Sequence, residues 1–469
     1  MNNAEVRLSG IEIKDFKNVT YGTLDFENSR KPYNASILGL YGQNGSGKTT
    51  LIDSLLLLKL SLSGQSVPAV FADLISVDAE SASIRYEFKV TNTSLGGRYN
   101  VTYELSLRKS VSDTAGNTLN PSSSADTAKV ELFGEVLSYS YEDDSVKQPS
   151  RPVVDTRCDD VFVPKAKYET LVGKSKSVLT DLIVAKKLSS ATSRSFIFSK
   201  ELLTAIRSGC AEEYHRFLFE ALVNYGNYEL FVINTASSGM MSMNALPLAV
   251  RSNPNDSSYN NIMINISGTT TVPADAYDAI SKVIDEMNIV LAEIIPGLTI
   301  STKNLGTDLL RSGGEGCKIQ LVSHKNSRDI PLQYESGGIK KIISILQLLI
   351  VIYNKPSITV AIDELDSGVF EYLLGELLRI ISEKGKGQLI FTSHNLRPLE
   401  TLDRGFIAFT TTNPENRYIR MSNVKTNNNL RDFYYRDIVL GEQSETVYNT
   451  TDNYDIAYAF REAGETDES

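Results

Sequence analysis

The sequence predicts an α/β fold with mixed β-sheets, a helical insertion and no long coiled coil. Three observations lead there. An apolar, strand-like run at 35–41 feeds through a glycine-rich loop into a leucine-rich helical pattern. Residues 298–440 alternate between strand and helix periodicity. Residues 175–228 read almost wholly as helix, yet no heptad repeat is sustained over several turns.

Taken in order, Val6, Leu8, Ile11 and Ile13 alternate as a strand with a bulge or turn at Gly10. A second short alternation covers 23–26. The helix after the loop carries Leu51, Ile52, Leu55, Leu56 and Leu58, which favours packing against a sheet. Residues 83–108 read as two strands joined by a turn at Gly96-Gly97. The polar stretch 110–127 reads as a mobile loop, and 129–141 returns to strand. Residues 229–270 hold a few short strand candidates, and 273–295 is an amphipathic helix. The expected organisation is an N-terminal lobe at 1–170, a mostly helical insertion at 171–297, a C-terminal lobe at 298–440 and an acidic tail at 441–469.

The chain of 469 residues has 47 basic and 57 acidic side chains, a net charge of −10, and 41% hydrophobic content. That balance fits a globular protein with a sizeable core. It disfavours wholesale coating of nucleic acid. Residues 449–469 contain six acids against Arg461, so the tail carries half of the net charge. Three distant cysteines (Cys158, Cys210, Cys317) form no disulfide framework and no CxxC pair, as expected in a reducing cytoplasm. Three histidines leave little room for a His-rich metal site. There is no signal-peptide pattern, and the apolar run 342–353 is too short to cross a bilayer. A cytoplasmic protein without a membrane partner is expected.

Residues 42–49, GQNGSGKT, satisfy G-x-x-x-x-G-K-[ST] between a strand and a helix. Gly42, Gly45 and Gly47 let the backbone curl so that the N–H groups of Asn44 through Thr50, Ser46 among them, point at phosphate oxygens. The helix N-terminus adds its partial positive charge. Lys48 is expected on the β- and γ-phosphates, and the Thr49 hydroxyl on Mg²⁺. The competing reading is a chance glycine turn.

Residues 357–362 suit a buried central strand and end in Asp363-Glu364. Asp363 is assigned to the metal and Glu364 to activation of the attacking water. Asp366 follows where a turn toward a partner subunit would place it. The alternative is that Asp363 and Glu364 merely cap the next helix, with Val369, Leu373, Leu377 and Ile381 as its apolar face. Asp363 lies 315 residues beyond Lys48, too far for a small GTPase, and Asn354-Lys-Pro-Ser357 lacks the acid of a guanine-reading NKxD motif. ATP is favoured. His394 closes the next apolar run, where a ring could hydrogen-bond the γ-phosphate or could be structural. Ser336, Gly337 and Gly338 open a long apolar helix, as an ordinary N-cap or as an anion site. Together with the other three motifs they make an ABC-type signature, in which the serine turn of one subunit closes on the nucleotide of another.

The segments GIEIKDFKNV, GQNGSGKTT, ESGGIKK, VAIDELDSGVFEYLLGELL, QLIFTSHN and NLRDFYYRDIVLG together resemble a RecF/SMC-related ABC-type ATPase of bacterial anti-phage defence. The resemblance is to the ATPase subunits of Septu-like and PARIS-like systems and the ATPase half of overcoming-lysogenization-defect nucleases. It covers roughly 1–60 and 330–441. It implies an ABC-type P-loop head and ATP with Mg²⁺ as cofactors. By position it implies Ser336 and Gly337 acting in trans, Asp366 at the interface and His394 as the switch. The signature reads ESGG where LSGG or SDGT is common. The implied partners are a homodimer or higher homo-oligomer through an ATP sandwich, a separate effector such as a nuclease, and a phage trigger. No TOPRIM or HNH domain is expected in the residues after the last motif. A RecF-like repair ATPase acting on DNA is the second reading, and a nucleotide-binding module without turnover the third.

Overall fold

The computed structural model describes residues 4–28, 30, 33–110, 129–158, 165–234, 245–251, 259–310, 313–422, 429–441 and 443–465. The polar stretch at 110–127 lies outside them except for Ser110.

Two six-stranded sheets enclose the helix Lys48–Leu62. The central sheet runs in the order Tyr418–Ile419, Ile407–Thr410, Ser36–Tyr41, Gln388–Thr392, Thr359–Ile362 and Leu230–Ile233. All neighbours are parallel except the edge strand Tyr418–Ile419. Its strands are short and buried on both faces, which explains their near-continuous apolar sequences. The second sheet is antiparallel, in the order Val19–Asp25, Ala4–Phe16, Ser81–Asn92, Arg98–Ser110, Lys129–Glu142 and Lys147–Asp155. Its alternating burial matches the alternating sequence. Gly10 sits at a register shift in the first strand, a bulge rather than a turn. Gly96 takes φ +72° in the 92–98 turn, a conformation open to glycine at little cost.

The helix Lys48–Leu62 is buried on nearly every side because it lies between the sheets. Leu51, Leu55 and Leu58 share one core with Val6, Ile84 and Tyr86 of the antiparallel sheet and with Leu38, Ala361 and Ile390 of the central sheet. Tyr86 Oη donates to Ser54 O at 2.6 Å. Near its far end Lys59 Nζ donates to Leu230 O at 2.6 Å, tying the helix to the edge strand, and burial lowers this lysine to about 8.

In 171–297 the helices Lys176–Ala191, Lys200–Gly209 and Glu213–Asn224 are followed by short strands within 229–270: Leu230–Ile233 in the central sheet, and the hairpin of Ala245–Arg251 with Tyr259–Asn265. Two expectations need correction. Residues 298–331 do not alternate with helices. Thr299–Leu309, Glu315–Lys325 and Arg328–Pro331 form an antiparallel sheet with Thr269–Pro273. The α/β alternation begins only at the helix Gly337–Asn354. That helix is apolar and, at 18 residues, long enough to cross a membrane, but Ile343, Leu346 and Ile352 are buried in the second core with Ile284, Val360 and Leu378. Finally, the apolar face of the helix Glu371–Lys384 is set by Leu374, Leu378 and Ile381, one residue off the predicted Leu373 and Leu377.

Candidate nucleotide site

The ends of three neighbouring parallel strands assemble the site. Ser36–Tyr41 leads into the glycine loop, Thr359–Ile362 into Asp363, and Gln388–Thr392 into His394. Open parallel sheets bind ligands beyond the carboxyl ends of their strands, and the separate motifs meet there.

Gly45 takes φ +75° with open space where a Cβ would stand, so its backbone is reachable from outside. Gly47 takes φ +98° and caps the helix; a Cβ there would press on Arg417 and Val19 at 3.1 and 3.2 Å. Lys48 Nζ donates to Gly42 O at 2.8 Å and Gln43 O at 3.0 Å, across the mouth of the loop. Burial lowers its affinity for the proton, against the opposing pull of Asp363, Glu364 and Asp366. Ser46 Oγ bonds to Gln43 O at 2.5 Å and to Thr410 Oγ1.

Thr49 Oγ1 donates to Asp363 Oδ2 at 3.1 Å, linking the glycine loop to the strand acid. Thr392 Oγ1 donates to the other oxygen, Asp363 Oδ1, at 2.6 Å and accepts from Glu364 N at 2.8 Å. One hydroxyl therefore orients both acids. Glu364 has φ +47°, a left-handed backbone that costs a non-glycine residue of order 1 kcal/mol and that clusters at functional sites. The alternative role as helix caps fails on position, since the next helix begins at Glu371 with Phe370 before it. Asp366 Oδ2 accepts from His394 N at 3.1 Å and Asn395 N at 2.9 Å, which fixes the His394 backbone while leaving the residue exposed.

Ser336 Oγ accepts from Ile339 N at 3.3 Å, so it is an N-cap. Ser336 and Gly337 are nevertheless exposed at the surface, as is Tyr334 just before them at 71%. Gly338 packs backbone to backbone on Gly368, two residues past Asp366. The serine turn is thus braced against the loop carrying the acids and faces outward.

Residues outside the expected set join the cluster. The expected Thr50 donates through Oγ1 to Asn18 Oδ1 at 2.9 Å, and the Asn18 amide donates to Gly45 O. Tyr418 Oη donates to Gly47 O at 2.9 Å, and Asn449 N to Gln43 Oε1 at 3.0 Å. Asp53 accepts from Lys17 Nζ at 2.5 Å and from Asn234. Lys341 is buried in the first turns after the serine; burial lowers its pKa, opposed by Asp366, Glu364 and Asp363. The segments holding Asn18 and Thr392 stood out as motifs. Nothing local marks Arg417, Tyr418 or Asn449.

A family model described as "AAA domain, putative AbiEii toxin, Type IV TA system" matches residues 37–400. The chain belongs to this family. It is a P-loop ATPase, and the family implies ATP binding. No curated protein matches the sequence. Among solved structures it is similar to an SMC head bound to the C-terminal winged-helix domain of ScpA, at 14% identity and TM-score 0.39, over 89% of this chain and 98% of that one. The SMC head domain from Thermotoga maritima gives 16% identity and TM-score 0.35, over 89% and 99%. The recombination mediator protein RecF gives 13% and 0.34, over 88% and 98%.

Proposed function

We propose that the chain is the ATPase subunit of a bacterial anti-phage defence system, working in the cytoplasm and controlling a separate effector through ATP-dependent assembly. The family's description as a putative toxin of a type IV toxin–antitoxin system supports the setting. The observation that carries the assembly step is the exposed serine turn. Ser336 and Gly337 are exposed after the exposed Tyr334, as a turn that closes on a second subunit's nucleotide requires. The defence setting leads to a separate effector that reads the assembly, and to a trigger that starts it.

In this reading the backbone of 42–50 and Lys48 hold the β- and γ-phosphates. The hard oxygen donors Thr49 and Asp363, 3.1 Å apart, fit Mg²⁺, which when bound neutralises phosphate charge. Glu364 orients the water and takes its proton. Thr392 fixes Glu364 through the backbone N–H. Asp366 holds the His394 backbone, so that the ring reports on the γ-phosphate, and Ser336, Gly337 and Gly338 of a second copy complete the charge clamp.

The test is Glu364→Gln. The variant should bind ATP normally and hydrolyse it ~10²–10⁴-fold more slowly. It should also accumulate as an ATP-dependent dimer or higher assembly on size-exclusion chromatography. Turnover near wild type would remove Glu364 as the base. A variant that is slow but shows no ATP-dependent assembly would remove the sandwich.

A further inference from the structure

The helix Asn453–Glu465 is unusual in that all its described side chains are exposed. Tyr454 is 88% exposed, Tyr458 66% and Phe460 77%, with Ile456 at 42%. Ile456 and Phe460 lie four residues apart, on one stripe of the helix, with Ala463 one turn on. An isolated helix of 13 residues is marginal in water, so it needs a surface to dock on. Four large apolar groups without cover point the same way.

A complementary surface lies on the helix Lys176–Ala191. Ile183, Val184 and Leu188 are 38%, 51% and 60% exposed, with Lys176 and Lys187 beside them. Charge pairs the two surfaces. The helix Lys176–Ala191 carries Lys176, Lys186 and Lys187 against Asp181, whereas 452–465 carry Asp452, Asp455, Glu462 and Glu465 against Arg461. The two faces do not cover each other within one chain, since both are exposed.

We propose that the Asn453–Glu465 helix of one copy docks on the Lys176–Ala191 helix of a second copy. Apolar stripes meet at the centre, and the tail acids meet the lysines at the rim. The two halves of this contact differ, so it is head-to-tail and either closes into a ring or propagates. Two short helices bury less than the ~1,200 Å² of a stable interface, so the expected affinity is micromolar. The contact uses none of the nucleotide residues and does not rest on the ATP sandwich.

Sedimentation of the full chain tests it, in the Lys48→Ala background without nucleotide, so that failure of the sandwich leaves the readout unchanged. Between ~1 and ~100 μM the parent should shift from monomer to larger species, less so at high salt. A tail variant (Ile456→Asp with Phe460→Asp) and a receiver variant (Val184→Asp with Leu188→Asp) should each stay monomeric. Their equimolar mixture should form dimers and nothing larger, because one copy keeps the tail and the other keeps the receiving face. All these positions are exposed, and circular dichroism identical to the parent checks the fold. A parent that stays monomeric throughout would overturn the proposal and leave the tail to a different protein. A tail variant that associates like the parent, or a mixture that stays monomeric, would overturn it as well.

Discussion

Gly338→Ala perturbs the joint between the serine turn and the acid-bearing loop. A Cβ at Gly338 would stand 2.3 Å from the Gly368 carbonyl oxygen, whereas ordinary contact begins at 3.4 Å. The two backbones must part by about 1 Å. Neither side yields easily: Gly338 is in the first turn of an 18-residue helix, and Gly368 sits at φ +75° just after Asp366. Overpacking of this kind costs about 1–3 kcal/mol. A 1 Å misplacement near a reacting centre costs up to ~10²-fold in rate. Gly338→Ala should therefore unfold at lower denaturant and lose one to two orders of magnitude in phosphate release. ATP binding should persist, because Gly338 touches nothing in the glycine loop of its own chain. Gly337→Ala is the control, since its Cβ would meet open space and its stability should stay within ~0.5 kcal/mol of wild type. Wild-type stability and turnover in Gly338→Ala would refute the idea that this joint positions the catalytic loop.

Lys48→Ala should abolish ATP binding in a fluorescent-nucleotide titration while leaving the thermal transition nearly unchanged; retained affinity would refute its role on the phosphates. His215 gives a pH prediction. It is buried, its Nδ1 bonds to the Tyr139 hydroxyl, and its Nε2 meets no partner among the described residues. Burial lowers it to about 4, below the ordinary 6.5. The folded state thus keeps the ring neutral, so this contribution is complete above pH 6.5 and is lost as pH falls toward 4. The shift corresponds to about 3 kcal/mol. Urea midpoints at pH 7 and pH 4 should fall further for wild type than for His215→Phe; equal falls would refute it.

The local parts of the fold were legible because local sequence dictates them. The glycine loop between strand and helix and the buried strands ahead of Asp363 and His394 declare themselves through composition and period. Leu230–Ile233 falls among the short strand candidates at 229–270, but its place in the central sheet is not legible locally, because it depends on Thr359–Ile362 beside it. The predicted helix face at Leu373 and Leu377 slipped by one residue because packing on the Gly337–Asn354 helix, not periodicity alone, sets which side is buried. In the site, residue types with fixed spacing could be named in advance. Tyr418 on Gly47, and Asn449 on Gln43, join positions hundreds of residues apart through single bonds, and no pattern in the chain announces them.

Steady-state hydrolysis by Ser336→Arg at saturating ATP decides whether Ser336 acts in trans. Ser336→Ala, measured alongside, removes only the cap to Ile339 N, worth about 1 kcal/mol. Ser336→Arg should bind ATP as wild type does but release no phosphate, because the exposed cation blocks closure on a second subunit. Full hydrolysis by Ser336→Arg would contradict it and leave Ser336 as an N-cap alone.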